Sequence, residues 1–540
     1  MLQFQDKVAL ITGSGTGIGM TVAKKFVENG ASVIILGRRK EPLEETAKML
    51  NSVISEKQSG GFVKIFSGVD VSDEKAITGM FDALKNENIN VDVVVNNAGV
   101  SGPVTCFAHA PLDDFRSTVD IHLTGTFWTS VEALKVMKEG GKIITISTFF
   151  AEERPLEQRP YRFRGPYTAS QGAKNRLVEA MSWELTEKGI VSIGTNPGPV
   201  HSDRIYKTVY PKAASEFLRV SGFEDLSPTD VEAANKEIVG LLGEDEQTIK
   251  DGIKSAAEKL GKQESTLTNL LNKVQSIAEK IQKNTSTMIP DQQFLSQDQV
   301  ATTILTLAGD EQSKILNGKI IPGDRVFYPV KSHVAASIPN IEKNNFEGIN
   351  CVITNDGTDD AIKKENNLKA MIESKGGKIM SDGELHIHIT GNMPNFSKLT
   401  ELTRSEWDNL VDKFINKPAK VAQNALDIFV PGGSDDPRLF NDAKGRIVII
   451  GPDLPTGKKI SGHERAKVEV FRGALRPFAT TVNQELSDVL ESNVRMFVVL
   501  PGTVDGKEPS GENLINTINY LVTEEAGKSS EVIFCPDESR

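Results

Sequence analysis

The chain has 540 residues, too many for one hydrophobic core, so two or three domains are expected. Hydrophobic residues make up 38% and charged residues 25%, and no apolar run approaches the roughly 20 residues of a membrane span. A net charge of −11 without a basic tract argues against a nucleic-acid partner, and three distant cysteines argue against a disulfide framework or a zinc site. Because the N-terminus has no secretory pattern, we expect a cytoplasmic protein with no membrane partner.

A glycine-rich turn lies between the first predicted strand, residues 8–11, and the first predicted helix, which starts at Met20. Residues without Cβ let backbone N–H groups approach a pyrophosphate at the positive end of a helix. An ordinary β-turn-α corner is the alternative, but the second strand, residues 32–36, follows at the spacing of a dinucleotide-binding unit. The residues predicted to cradle the pyrophosphate are Gly13, Ser14, Gly15, Thr16, Gly17, Ile18 and Gly19.

Two arginines follow the second strand, where such a unit meets the adenosine ribose. NAD-selecting folds place a carboxylate there for the 2′-hydroxyl, whereas guanidinium groups suit a 2′-phosphate. Arg38 and Arg39 therefore predict NADP as the cofactor, the alternative being that both are merely solvated.

The next elements continue a strand and helix alternation. A helix over residues 42–55 leads to a strand over 63–69, and a fourth strand over 91–95 follows. Asp70, directly after the third strand, is placed to hold the adenine amino group. Right-handed crossovers then give an α/β fold with a doubly wound parallel sheet.

Four motifs in combination resemble the short-chain dehydrogenase/reductase family over about the first 210 residues and a final segment near 298–330. They are the pattern Thr12-Gly13-x3-Gly17-x-Gly19, the run Asn96-Asn97-Ala98-Gly99, Tyr167, and Pro197-Gly198. Ser202 stands where this family commonly contacts the nicotinamide carboxamide. The further cofactor contacts taken from the resemblance are Val71, Asn97, Ala98, Gly99, Pro197, Gly198 and Val200.

The resemblance implies a catalytic set of asparagine, serine, tyrosine and lysine. Tyr167 is the tyrosine, and the serine is replaced by Thr148 or supplied by Ser147. The lysine position, one helical turn after the tyrosine, is Gln171, and the asparagine position is His122.

The missing lysine changes the expected chemistry. A lysine would lower the pKa of the phenol, which is ordinarily about 10, whereas Gln171 contributes hydrogen bonds but no charge. Reduction needs the protonated phenol, so Tyr167 can still donate to a developing oxyanion. His122 is either part of a proton relay or a packed helix residue, and Lys174 is expected to be exposed rather than a distant source of charge.

The substrate side is rich in arginine. Residues 151–166 contain four arginines close to Tyr167, which suits a carboxylate- or phosphate-bearing substrate. Arg162, Arg164 and Arg204 are the predicted substrate contacts. The pattern Tyr161-x-x-Arg164-x-x-Tyr167, together with Gly198-Pro199-Val200-x-x-Asp203-Arg204, resembles the bacterial malonyl-CoA reductases, a tandem-unit branch that reduces a CoA thioester with NADPH.

The first unit is expected to span residues 1–335, with an inserted helical segment at about 226–287 that is either a lid over the substrate or a packing pair. The second unit, residues 345–540, has a shorter α/β pattern. Counting back from Glu485-Leu486, which echo Glu184-Leu185, puts Val468 and Arg472 opposite Tyr167 and Gln171. We therefore expect two Rossmann-like units in tandem, the second a degenerate copy with a structural or dimer-mimicking role.

Two functions stay open at this point. The first is an NADPH-dependent reductase of malonyl-CoA or a related small acyl-CoA, or of the semialdehyde it yields, in a homodimer. The second is a catalytically impaired NADP-binding partner subunit, in which Gln171 and His122 mark lost chemistry.

Overall fold

The computed structural model describes residues 2–58, 60–149, 162–202, 205–287, 292–323, 343–454, 461–501, 511–529 and 532–535. Two parallel sheets organise these residues, one of seven strands and one of six. The predicted fold class is confirmed: two α/β units follow one another, with a helical insertion in the first. The predicted unit boundary near residue 335 lies outside the described residues.

The first sheet has the strand order β3-β2-β1-β4-β5-β6-β7, which is the doubly wound arrangement with its switch point between β1 and β4. Apolar runs such as Val91–Asn96 are buried on both faces because helices cover each side of the sheet. Its strands are β1 (Val8–Thr12), β2 (Ser32–Gly37), β3 (Val63–Ser67), β4 (Val91–Asn96), β5 (Met137–Ile146), β6 (Val191–Asn196) and β7 (Ile320–Pro322).

Twelve helices accompany the described part of this unit, and those of the insertion form a core of their own with α7. A π-helical turn, Asp120–Thr124, joins α4 to α5. The helices are α1 (Gly17–Glu28), α2 (Lys40–Lys57), α3 (Glu74–Asn86), α4 (Leu112–Val119), α5 (Gly125–Ala133), α6 (Gly165–Leu185), α7 (Tyr210–Ser221), α8 (Pro228–Ile238), α9 (Glu246–Leu260), α10 (Glu264–Ser286), α11 (Gln297–Leu307) and α12 (Asp310–Ile315).

The second sheet has the order β13-β12-β11-β10-β8-β9, which repeats the first without the outermost strand beyond β9. The short strands β9 and β13 were not predicted, since two residues are too few to show a pattern. The strands are β8 (Asn350–Asn355), β9 (Lys378–Ile379), β10 (Leu385–Ile389), β11 (Lys444–Ile450), β12 (Asn493–Val499) and β13 (Ile533–Phe534). The helices are α13 (Asp359–Ser374), α14 (Arg404–Val411), α15 (Lys417–Phe429), α16 (Gly462–Asp488), α17 (Gly511–Leu521) and α18 (Glu524–Lys528).

The two units share one hydrophobic core through the long helices α6 and α16. The helices approach closely at two glycines: a Cβ on Gly473 would lie 2.9 Å from the carbonyl oxygen of Gly172, and one on Gly172 would overlap the carbonyl of Gly473. The Trp407 ring of the second unit stacks on Phe127 of the first at 3.7 Å between centroids. The second unit therefore covers the helix that carries the predicted tyrosine.

Candidate active site

A cleft of about 900 Å³ opens at the carboxyl edge of the first sheet, beside the switch point between β1 and β4. Open α/β sheets bind ligands at this place. The predicted site residues that line the cleft are Gly13, Gly15, Thr16, Gly17, Ile18, Arg38, Arg39, Asp70, Val71, Asn97, Ala98, Gly99, His122, Ser147, Thr148, Arg162, Arg164, Tyr167, Gln171, Pro197, Gly198, Val200 and Ser202. Ser14 and Gly19 lie beneath its surface, and Arg204 lies outside the described residues.

The glycine turn is braced from the end of β4. The Thr12 hydroxyl accepts hydrogen bonds from the backbone N–H groups of Asn97 and Ala98 at 2.9 and 2.8 Å. The Asn97 side chain donates back to the carbonyls of Thr12 and Gly13. Gly13 has φ of +66° and Gly17 has φ of +62°, which favour glycine at both positions.

Ser14 and Gly19 support the turn rather than face the cleft. The fully buried Ser14 hydroxyl donates to the Ile11 carbonyl at 2.9 Å and accepts from the Leu36 N–H at 3.0 Å. A Cβ on Gly19 would come within 2.5 Å of the Asn97 side-chain nitrogen. Neither residue is part of the lining of the cleft.

The first turn of α1 has the features of an anion-binding site. Thr16, its N-cap, makes no side-chain capping bond, and the first turn carries no acidic residue. A Cβ on Gly17 would meet no atom of the described residues within 4 Å, so the backbone there is open to the cleft. Unsatisfied N–H groups at the positive end of the helix fit a pyrophosphate.

The two arginines after β2 are exposed at one end of the cleft. A guanidinium nitrogen of Arg38 lies 3.6 Å from an Asp70 carboxylate oxygen, and the other Asp70 oxygen accepts from Ser72. Arg39 is the N-cap residue of α2 and lines the same end of the cleft. Exposed guanidinium groups at the ribose end fit an additional phosphate.

Tyr167 faces the cleft from the first turns of α6. From Gly165 through Asn175 every residue is buried except this tyrosine, which is half-buried. The Arg164 guanidinium carbon lies 3.8 Å from the centroid of the phenol ring, and the His122 imidazole meets the same ring edge-on at 5.2 Å. A proton donor thus stands between a cation and a titratable ring.

His122 and Gln171 form a buried pair at the two altered positions. The His122 Nε2 atom lies 2.8 Å from the Val100 carbonyl oxygen and 3.3 Å from the Val100 backbone nitrogen, and Nδ1 lies 3.0 Å from the Gln171 side-chain nitrogen. With its proton on Nε2, His122 donates to the Val100 carbonyl and Nδ1 accepts from the Gln171 amide. The other end of that amide, Oε1, is buried and has no hydrogen-bond partner among the described residues. It fits a hydroxyl donor, such as that of a bound ribose.

Lys174 is buried, contrary to the expectation of an exposed side chain. It is 1% exposed, borders the cleft, and donates to the Ile146 carbonyl at 2.5 Å. Burial lowers its pKa to about 7. The helix that carries Tyr167 therefore places an amine that titrates near neutrality two turns beyond the phenol.

The two candidate hydroxyls at the end of β5 differ in their partners. Ser147 donates to the Asn175 side-chain oxygen in a short buried bond. The Thr148 hydroxyl borders the cleft and makes no hydrogen bond within the described ranges. Thr148 is thus the more available donor to a substrate oxygen.

The substrate end of the cleft is closed by α7 and the last turns of α10. Tyr210 of α7 is buried, which raises the pKa of its phenol to about 12. Ile281 and Thr285 of α10 line the same wall. The sequence analysis did not name these residues, although it gave a lid over the substrate as one possible role of the inserted segment.

In the second unit, ion pairs occupy the region that corresponds to the cleft. Lys413 contacts the Asp356 carboxylate at 2.8 Å, and Lys364 contacts Asp453 at 3.2 Å. Arg472 lies 3.7 Å from Asp453 and donates to the Pro452 carbonyl at 2.9 Å. The charged side chains at this edge of the second sheet thus pair with one another.

Comparison with known proteins identifies relatives of the first unit. The family model for short chain dehydrogenases matches residues 7–210. The 3alpha-hydroxysteroid dehydrogenase of Mediterraneibacter gnavus is 32% identical over 207 residues, which cover 38% of this chain and 78% of that protein. The 7alpha-hydroxysteroid dehydrogenase of Escherichia coli K12 is 29% identical over 233 residues, which cover 43% of this chain and 86% of that protein.

Two solved structures resemble the whole chain. The C-domain of bacterial malonyl-CoA reductase with NADP has a TM-score of 0.69 at 17% identity and covers 96% of this chain and 94% of its own. The N-domain of bacterial malonyl-CoA reductase with NADP has a TM-score of 0.67 at 15% identity and covers 99% of this chain and 98% of its own. At these identities the likeness shows the tandem fold.

Proposed function

Because the chain belongs to the short-chain dehydrogenase family, we propose that its first unit uses NADPH to reduce a small anionic acyl-CoA thioester, foremost malonyl-CoA, or the semialdehyde formed from it. The observation that carries the proposal is Arg164, a 6% exposed guanidinium stacked on the Tyr167 ring within the cleft. A buried guanidinium pairs best with a carboxylate or phosphate. The whole-chain likeness to two malonyl-CoA reductase domains supports the same substrate class.

The glycine turn and α1 would hold the cofactor pyrophosphate, and Arg38 and Arg39 would hold the 2′-phosphate. The unpartnered Gln171 oxygen would accept from the nicotinamide ribose. When bound, NADPH supplies the hydride that the carbonyl carbon receives. No residue within the described ranges is positioned to replace that chemistry, so the protein's part is binding, orientation and proton transfer.

Tyr167 would donate its proton to the carbonyl oxygen as negative charge develops there, and the Thr148 hydroxyl would stabilise the same oxygen. With a thioester the product of this step is a hemithioacetal, whose carbon–sulfur bond would then break as its hydroxyl proton passes to the sulfur, releasing CoA thiol and the aldehyde. Lys174, whose pKa burial lowers to about 7, supplies the positive potential that the family takes from the missing lysine. The Arg164 guanidinium would orient the substrate carboxylate beside the phenol.

NADPH consumption with matched substrates tests this function. We expect malonyl-CoA and malonate semialdehyde to be reduced, acetyl-CoA to react more slowly, and Arg164→Met to remove that preference. Tyr167→Phe should abolish reduction, whereas Gln171→Lys should keep or raise the rate because it restores a charge one turn from the phenol. Unchanged turnover in Tyr167→Phe would contradict the assignment of the proton donor.

A second candidate function is an NADP-binding partner subunit without turnover. The buried Gln171–His122 pair favours it, because this pair replaces two catalytic positions with a satisfied hydrogen bond. NADPH binding without consumption of any thioester, aldehyde or 3-oxosteroid, even by Gln171→Lys, would support this candidate. Oxidation of a hydroxysteroid alone would instead align the chain with its named relatives.

A further inference from the structure

A carboxylate of the second unit reaches into the first unit beside the active site. Glu485 of α16 is 1% exposed, and its two oxygens accept hydrogen bonds from two backbone N–H groups of the first unit. The Phe163 N–H donates at 2.6 Å and the Phe107 N–H donates at 2.7 Å. Burial raises the pKa of the Glu485 side chain to about 8, although the two backbone bonds lower it. A buried carboxyl group that accepts two backbone bonds holds both segments of chain relative to each other.

The Phe163 segment leads to groups that border the cleft. Phe163 directly precedes Arg164, whose guanidinium stacks on Tyr167, and α6 begins one residue later. Phe163 has φ of +68°, a left-handed conformation that costs free energy in a bulky residue. Its carbonyl accepts from the Thr105 N–H at 2.9 Å, so bonds on both sides hold the strained residue in place.

The Phe107 segment is held from its other side by α7. Glu216 accepts from the Cys106 N–H at 2.7 Å and lies 2.9 Å from His109. The side chain of Gln423, from the second unit, donates to the Phe107 carbonyl at 2.9 Å. The segment is thus clamped between a helix of the substrate wall and two helices of the second unit.

The reciprocal contact, from a glutamate of the first unit to the backbone of the second, has no catalytic tyrosine beside it. Glu184 of α6 accepts from the backbone N–H groups of Leu399 and Thr400 in the second unit at 2.7 and 2.9 Å. The second unit has Val468 where the first has Tyr167, so this clamp holds no catalytic group. Glu184 also lies about 25 Å along α6 from Tyr167, since a helix rises about 1.5 Å per residue.

We propose that Glu485 is a positioning residue of the first unit's active site, holding the backbone of Phe107 and Phe163 so that Arg164 and Tyr167 meet the substrate. The second unit then contributes to catalysis by holding the first unit's active site, although charged side chains pair with one another at the corresponding edge of its own sheet. This inference rests on the proposed reductase function for its kinetic consequence. The placement itself rests only on the contacts.

The test compares Glu485→Gln with Glu184→Gln in the full chain. In each variant one acceptor oxygen becomes an amide that faces an N–H donor, so both should lose thermal stability. Glu184→Gln also weakens the contact of Glu184 with His463 Nε2 at 3.0 Å, so its loss should be at least as large. Only Glu485→Gln should reduce kcat/KM for malonyl-CoA, by roughly ten- to a hundredfold, because small misplacements of reacting groups are costly. The Kd for NADPH should stay within about twofold in both variants, since neither carboxylate borders the cofactor end.

Hydrogen exchange of residues 105–110 and 162–167 provides the readout that is independent of turnover. We expect these amides to exchange faster in Glu485→Gln, and residues 397–402 to exchange faster in Glu184→Gln. Equal kinetic losses in the two variants, or wild-type turnover in a Glu485→Gln protein that has lost protection at 162–167, would overturn the proposal.

Two further outcomes separate this inference from the proposed function. If the wild-type chain reduces no substrate, the proposed function fails, whereas unchanged exchange at 162–167 in Glu485→Gln overturns the positioning role by itself. Should Glu485→Gln fail to fold, Glu485→Asp keeps the carboxyl group but shortens its reach, and intermediate protection with intermediate kcat/KM is then expected. Full wild-type values in the Asp variant would refute the need for both bonds.

Discussion

Replacing Lys174 by methionine should make the protein more stable at acidic pH and less active. The amine is buried against the Ile146 carbonyl, and burial lowers its pKa from 10.5 to about 7. The unfolded chain therefore binds more protons than the native state between about pH 7 and 10.5. Native stability rises with pH through that window, and below about pH 7 the native state bears the whole cost of the buried charge.

The size of the effect follows from the pKa difference. One pKa unit corresponds to about 1.4 kcal/mol, so the buried charge destabilises the wild type by roughly 5 kcal/mol at pH 6 and about 2 kcal/mol at pH 9. Methionine removes this cost but also removes the bond to Ile146, which is worth about 1–2 kcal/mol at either pH. We expect net stabilisation at pH 6 and little net change at pH 9.

The loss of activity has a separate cause. Lys174 lies two helical turns, about 10 Å along the axis, from Tyr167. At that separation an ammonium stabilises a developing oxyanion by roughly 1.6 kcal/mol with an effective dielectric constant near 20. Lys174→Met should therefore reduce turnover roughly tenfold below pH 7.

Calorimetric unfolding at pH 6 and pH 9, with NADPH consumption at both values, measures the two effects. Lys142→Met is the matched control, because Lys142 is also buried but contacts the Asp310 carboxylate at 2.6 Å. It should lose stability and retain turnover. A Lys174→Met protein that unfolds at a lower temperature at pH 6, or that keeps full activity, would refute the reasoning.

Three other predictions concern the cofactor, the second unit and the helix contact. Replacing both Arg38 and Arg39 by alanine should weaken NADPH binding at least tenfold and leave NADH binding nearly unchanged, because only NADPH carries the 2′-phosphate; parallel losses in titration calorimetry would contradict this. Titration should give one NADPH per chain, since ion pairs fill the second cleft, and two per chain would show that the second unit binds nucleotide. Gly172→Ala should lower the unfolding temperature, because the added methyl group overpacks α6 against α16 at a cost of about 1–3 kcal/mol. The control Gly79→Ala, where a Cβ on α3 meets no neighbouring atom, should be neutral or stabilising. A neutral Gly172→Ala would mean that the two helices lie further apart.

Most of the predicted cofactor contacts line one end of the cleft, because each group of them is local in the chain. A glycine turn, the residues after β2 and the run after β4 each follow a strand, and parallel strands bring their carboxyl ends together. Ser14 and Gly19 were placed among the cofactor contacts for the same reason. In the structure both lie beneath the turn, where Ser14 accepts a hydrogen bond from Leu36 and Gly19 packs against Asn97. Sequence spacing alone does not reveal these contacts.

Lys174 shows what local pattern does not reveal. A lysine on a helix is ordinarily solvated, and the sequence of α6 shows no clear apolar face against which to judge it. The helix is buried on nearly all sides because the first sheet lies beneath it and α16 covers it. Only the packing of α6 on the end of β5, where Lys174 donates to the Ile146 carbonyl, shows that this amine belongs to the cleft wall.

In the second unit, the structure gives a reason other than charge repulsion to expect that no nucleotide binds. Asp356, Asp359 and Asp360 follow the first strand of this unit, and from the sequence alone three carboxylates there would repel a phosphate. In the structure Asp356 is neutralised by Lys413, and Asp359 and Asp360 stand in the first turn of α13, where carboxylates stabilise the helix dipole. The basic side chains Lys364, Lys413 and Arg472 would attract an anion if they were free, but each contacts a carboxylate of the same cleft. We therefore expect no nucleotide there because these basic side chains already pair with carboxylates, and not because carboxylates repel the phosphate. The fold of the second unit supports the α6–α16 contact, through which Glu485 reaches the active site.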